Sequence, residues 1–308
     1  MPSAHNDRMA TSPIAPDATG SAPSTHDHRR LLTVLTLGAV VILWAGTAAF
    51  LWRDRQLTLQ ATGEHTARQA LRLSQDLEQT LKVARTVINQ FDERLQIASS
   101  SPFQPSPVAG AEANAELLAA LPLPFELHAL TENGHAQALV GLDQPAKRQH
   151  ANHHHSDKPL APGVWSLGNI TSLSEKQALP LSWPATPNLH QVKGYGVDLS
   201  FAALQSWLDR DRKQADDRVS LFWLNPDGSA TLLARSPEEP ERLGQRVTAD
   251  WVAAANANPH GVIDLVSQID QQHRRVAFHR LSGPANTLAV VYGSDIRTAL
   301  GAWWSQLP

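Results

Sequence analysis

Asp198 closes the run Val192-Lys193-Gly194-Tyr195-Gly196-Val197-Asp198, and Trp165 and Trp183 precede it. Together Trp165, Trp183, Tyr195 and Asp198 offer aromatic walls and one carboxylate. That set suits a cationic or zwitterionic small molecule, because ring faces and carboxylate both attract an ammonium group. Either tryptophan alone reads equally as a core residue, so Asp198 is the first position to mutate.

His150, His153, His154 and His155 lie close together, with His128 and His135 upstream and Asp157 just after. Imidazoles three or four apart can share a face and hold Zn, Cu or Ni. The stretch around them, DQPAKRQHANHHHSDKP, is polar and of low complexity. Structural metal sites draw ligands from separated rigid segments. The stretch therefore reads as a solvated loop, with no metal and no cofactor.

No GxSxG, HExxH or glycine-rich phosphate loop is present, so the chain is not read as an enzyme. Asp198, Asp227, Asp264 and Asp270 fall at strand ends or turns, where aspartate commonly caps. Arg274 and Arg275 are neighbours on a strand and must point to opposite faces. One can be buried with an acidic partner, although a surface position is the commoner fate of both. With no cysteine, disulfides and thiolate chemistry are excluded. A formal net charge of -3 and the lack of a basic stretch argue against a nucleic-acid partner.

The elements that must position these residues can be read from hydropathy and punctuation. Residues 1–30, rich in Pro, Ser, Ala and His, read as a disordered cytoplasmic tail. Residues 31–52 carry no charge. At 1.5 Å per residue they span about 33 Å, enough to cross a hydrocarbon core. A cleaved signal is the competing reading, but its apolar run is usually only about 7–15 residues. Arg29 and Arg30 precede the span, and Arg53 and Arg55 come after it. The large size of the C-terminal portion places the N-terminus inside and residues 53–308 outside the inner membrane.

Residues 53–120 read as a long helix and a connector, with a short helix at 111–120. Leu73, Leu77, Leu81, Ala84, Ile88, Phe91, Leu95 and Ala98 recur three and four apart, forming one apolar stripe. The stripe serves either as the seam of a homodimer or as packing within one chain. Residues 121–212 then read as strands, beginning with a hairpin at Asn133-Gly134, and end in a helix. Residues 213–308 repeat that order, opening on a hairpin at Pro226-Asp227-Gly228 and ending in a helix that carries Trp303 and Trp304. The fold class is α/β (α+β): a long N-terminal helix carrying two units with antiparallel sheets.

One membrane span, a long amphipathic helix and two successive PAS-like units resemble the double Cache sensor domain of bacterial transmembrane receptors. The second half carries the closer match, in Leu232-Leu233-Ala234-Arg235-Ser236-Pro237, Leu243-Gly244-Gln245, Arg274-Arg275-Val276-Ala277 and Leu288-Ala289-Val290-Val291. These resemble the membrane-proximal unit found upstream of diguanylate cyclases. The resemblance implies an extracytoplasmic receptor for a small molecule, signalling through a partner or through an output domain outside this sequence. The aromatic–arginine–tryptophan–tyrosine cluster of the amino-acid-binding version is absent, so ligand identity does not carry over. The alternative is an envelope scaffold or assembly protein using the same fold for protein contacts.

Overall fold

The computed structural model describes residues 25–100, 121, 123, 125–131, 136–140, 160–168, 178–186 and 192–305. The tail before residue 25, the short helix at 111–120, the Asn133-Gly134 turn, His135, His150, His153, His154, His155 and Asp157 lie outside them.

Helix α1, Thr25–Ser100, contains both the apolar run and the amphipathic stripe. Its residues up to Asp54 form one unit, and Arg55 onward belongs to the other. In the first unit the large side chains from Leu31 to Trp52 are exposed, apart from the half-buried Leu51. Helix α1 is long and apolar enough there to cross a membrane.

In the second unit α1 becomes two-sided. Leu73, Leu77, Ala84 and Ile88 are fully buried, and Leu81 and Phe91 nearly so, in a core shared with strands of both sheets. Of the two readings of the stripe, burial favours packing within the chain: two apolar sheet faces need cover and α1 supplies it. The side chains of Leu95 and Ala98 lie outside the described residues. Three hydroxyls on the buried side cause no penalty, because Thr66, Ser74 and Thr80 donate to the carbonyls of Gly63, Leu71 and Asp76.

The first sheet comprises β1 (Phe125–Thr131), β2 (Ala136–Val140), β3 (Ser166–Leu167), β4 (Ala178–Pro184) and β5 (Val192–Ser200), in the order β2-β1-β5-β4-β3. Every pair is antiparallel. Helix α2 (Phe201–Arg210) comes directly after β5; Ser200 caps it by accepting from the Ala203 N–H, and it buries Leu204, Trp207 and Leu208.

The second sheet comprises β6 (Arg218–Leu224), β7 (Ala230–Ser236), β8 (Arg246–Val247), β9 (His260–Val266), β10 (His273–Arg280) and β11 (Leu288–Asp295), in the order β8-β7-β6-β11-β10-β9. One face carries Leu221, Val290 and Tyr292 into the core with α1. The other packs Phe222, Val276, Phe278 and Val291 beneath helix α3 (Asp250–Ala257), which contributes Trp251, Val252 and Ala255. Helix α4, Ile296–Trp304, continues from β11.

Arg274 and Arg275 point to opposite faces, as the strand period requires. Arg274 is buried and Arg275 half-buried, against the commoner expectation of a surface position for both. Arg274 is 3 % exposed and donates to Asp270. Arg275 pairs with Asp264 at 2.7 Å and donates to the Leu59 carbonyl on α1. Burial is tolerated because each guanidinium has a carboxylate beside it. Gly63 sits under this crossing: an added Cβ would lie 3.3 Å from Arg275 Cδ and 3.4 Å from Val262 Cγ1.

Candidate ligand-binding site

Strand pairing decides which of the four candidate residues meet. Trp183 lies opposite Tyr195, whereas Pro180 and Glu126 lie opposite Asp198. Tyr195 and Asp198 are an odd number of residues apart on one strand, so they face opposite sides of the sheet. The structure gathers Trp165, Trp183 and Tyr195 on the α1 side and places Asp198 on the other.

On the α1 side, the rings of Trp165 and Trp183 are 5.0 Å apart. The Arg85 guanidinium carbon lies 5.4 Å from the Trp183 ring centre. The Tyr195 hydroxyl donates to Asp92 Oδ1, and Asp92 Oδ2 accepts from the Thr186 backbone and hydroxyl at 3.1 and 2.6 Å. The cation for the aromatic wall and the carboxylate for the tyrosine thus both come from α1. Burial, then the hydrogen bond to the Asp92 carboxylate and its charge, pushes the Tyr195 phenol well above its ordinary value.

The opposite face is polar at its centre. Asp198 is 4 % exposed, and its Oδ2 lies 3.2 Å from His128 Nε2. Glu126 Oε2 approaches the same nitrogen at 3.8 Å. Cross-strand register puts His128, Gly196 and Ser182 in one row and Glu126, Asp198 and Pro180 in the next. Gly196 adds no side chain between His128 and Ser182. Gly194, one pleat along, is required by close approach: an added Cβ would lie 2.5 Å from Leu160 Cδ1 and 2.7 Å from the Trp183 carbonyl.

Asp198 therefore sits inside a strand and not at a turn, unlike Asp227, which accepts from the Ser229 N–H and hydroxyl as a turn aspartate does. His128, which by sequence is a candidate only as a metal ligand, is the partner that sequence reasoning missed. Asp92 was missed altogether, although its place on the apolar stripe beside Phe91 and Ile88 marks it as buried. Among the described residues, no group of three or more His, Asp or Glu is arranged to hold a metal.

No family model matches the sequence, and no curated protein matches it. Solved structures do match the fold. The extracellular domain rpHK1S-Z16, assigned to a histidine kinase, superposes with a TM-score of 0.54 at 17 % identity, over 80 % of this chain and 99 % of its own. The periplasmic sensory domain of the Campylobacter jejuni chemoreceptor Tlp1 gives 0.53 at 14 %, over 82 % and 99 %. The ligand-binding domain of the Pseudomonas fluorescens chemoreceptor CtaA, solved with L-isoleucine, gives 0.50 at 14 %, over 81 % and 98 %. The chain therefore has the fold of the double Cache, PAS-like sensor domains of bacterial receptors.

Proposed function

We propose that the chain is a membrane-anchored extracytoplasmic sensor whose first sheet binds a small molecule carrying an ammonium group. The observation that carries this is the buried Asp198–His128 pair on the sheet face turned away from α1. Asp198 Oδ2 and Glu126 Oε2 both stand near His128 Nε2, so this face presents carboxylates, the groups that attract an ammonium. An ammonium group recognised there would have the Asp198 and Glu126 carboxylates beside it. Amino acids are the ligand class to test first, and the CtaA domain that shares the fold was solved with one. Strand β5 carries Asp198 toward the ligand face and Tyr195 toward α1. The aromatic trio then serves to couple the sheet to the helix, with Tyr195, Trp183 and Trp165 reading the strand's position. Transmission is a population shift between two helix arrangements, which the ligand drives only through different affinity for each.

The test uses the full chain in detergent and a panel of the common amino acids. One of them should raise the melting temperature, and Asp198→Ala should abolish that shift while leaving the unliganded melting point near that of the wild type. At 100 times the dissociation constant, stabilisation is about 2.7 kcal/mol, well within reach of a melting curve. No shift with any amino acid, or an equal shift in Asp198→Ala, would overturn the assignment.

A further inference from the structure

The second sheet holds a separate cavity. Between that sheet and α3 is a space of about 50 Å³, whose wall includes Arg218, Arg235, Arg274, Ser220 and Ser267. The rest of the wall is mostly apolar and includes Phe222, Trp251, Ile269, Val276 and Val291. Among the described residues, three guanidinium side chains line it and no carboxylate does. An open cleft of about 580 Å³ shares Arg218 and Arg274 with the inner cavity and adds Asp216, Asp270, Asp295 and Arg297.

All three arginines converge on Asp270. Its Oδ2 accepts from Arg235 at 2.8 Å and Arg274 at 2.9 Å, and lies 3.7 Å from Arg218 Nε. Asp270 is carried by the turn between β9 and β10, a short segment in which Gln271 has a φ of 56°. Arg235 is only 3 % exposed, yet its Nε has no acceptor in line; Glu239 lies 3.3 Å away but off the N–H direction. The Arg218 Nε also lacks an acceptor, with Glu239 3.9 Å and Asp270 3.7 Å away. Burial draws the Arg235 guanidinium below its usual value, with Glu239 and Asp270 opposing.

Arg274 is committed to Asp270 and to the Asp216 carbonyl. From this geometry we infer that the second unit binds a short-chain monocarboxylate, its carboxylate on Arg235 and its tail against Phe222, Val276 and Val291. A planar carboxylate matches the fork of a guanidinium, and a buried arginine with an unused N–H loses least by accepting one. The apolar remainder of the wall excludes a doubly charged or heavily hydroxylated ligand. Size limits the tail: one water needs about 10–15 Å³ of such space, so the cavity holds a few non-hydrogen atoms and not an amino acid with a large side chain. This site is separate from Asp198 and goes beyond the first-sheet reading.

The experiment is thermal melting and titration calorimetry on the full chain in detergent. The probes are propionate and butyrate, with propionamide and sodium chloride at matched ionic strength as controls. Either acid should give a saturable rise in melting temperature that propionamide and chloride do not. Val291→Leu and Val291→Phe progressively fill the cavity without touching the arginines, and should reduce and then abolish the shift. Arg235→Gln should abolish it as well; if that variant does not fold, the Val291 series decides alone. Asp198→Ala should keep the full shift, which separates this site from the first-sheet proposal. No saturable shift with either acid, an equal shift with chloride, or a shift undiminished in Val291→Phe would overturn the inference.

Discussion

The Tyr195 hydroxyl reaches the Asp92 carboxylate over 2.5 Å, tying the middle strand of the first sheet to α1. The contact spans 103 residues of sequence and is buried at both ends. The second sheet has a parallel arrangement on an inner strand of its own. There the Tyr292 hydroxyl donates to Asp217 at 2.7 Å, and Ser294 donates to the other oxygen of that carboxylate. These are the chain's two tyrosines. Each stands in the core with its polar tip on a carboxylate, as buried phenols require.

Alkaline pH should expose this arrangement. Burial first, then the neighbouring carboxylates, raises both phenols above the ordinary value. A raised folded pKa contributes stability below the unfolded value, about 10, and that stability is lost as pH rises toward the folded one. Tyrosinate absorbance should therefore appear only together with unfolding. Tyr195→Phe should cost about 1.5–3 kcal/mol near neutral pH, since it removes a hydrogen bond to a charged group. Tyrosinate forming in the folded protein near the ordinary value would refute both statements.

Asp270 governs the acid limb. Burial raises its pKa, but hydrogen bonds from Arg274 and Ser267 and the charges of Arg274 and Arg235 outweigh burial and leave it lowered. Its contribution is present above the usual carboxylate value, about 3.9, and is lost as pH falls through the folded value below that. Asp270→Asn should destabilise the protein at neutral pH by about 3–5 kcal/mol, because it strands buried guanidinium groups. The difference from wild type should shrink below about pH 4 in denaturant titrations. A constant difference across pH would mean the loss is one of packing.

Gly63 should behave unlike an ordinary helix glycine. Replacement by alanine normally gains about 0.5–1 kcal/mol in a helix. Here the new methyl would press on Arg275 Cδ at 3.3 Å. The gain should be largely cancelled, and Gly63→Val should cost about 1–3 kcal/mol by overpacking. A stabilised Gly63→Val variant in urea unfolding would show that α1 and β10 do not press together at this point.

The topology proposed for the membrane anchor is open to a direct check. Alkaline phosphatase fused after residue 305 should be active, and a cytoplasmic fluorescent reporter at the same place should be dark. The reverse pattern would put residues 53–308 inside the cell. A mature protein starting near Phe50 would identify the apolar run as a cleaved signal.

Much of the fold was legible because its elements obey simple periods. The uncharged run, the three-and-four spacing of Leu73, Leu77 and Leu81, and the turn at Pro226-Asp227-Gly228 each state one element locally. The partner of the helical stripe was not legible, since a seam and a core helix share that spacing. The site was half legible. Asp198 could be singled out by type, and the period of two along β5 is enough to set it on the other face from Tyr195. His128 was out of reach without the sheet order, because β1 and β5 are distant in sequence and adjacent only through pairing. Arg235 joined Arg274 and Asp270 for the same reason: it lies on β7, 35 residues from Asp270, and that strand had to be assembled beside the turn first.

In each sheet the last strand made is an inner strand. β5 lies between β1 and β4, and β11 lies between β6 and β10. As the chain emerges from the ribosome or the translocation channel, β6 to β8 and β9 to β10 form two separate hairpin groups with no shared backbone ladder. They join only when residues 288–295 arrive and slot between them. A chain interrupted between β10 and β11 would therefore present two open edges facing each other, the kind of surface that chaperones hold and that a neighbouring nascent chain can fill.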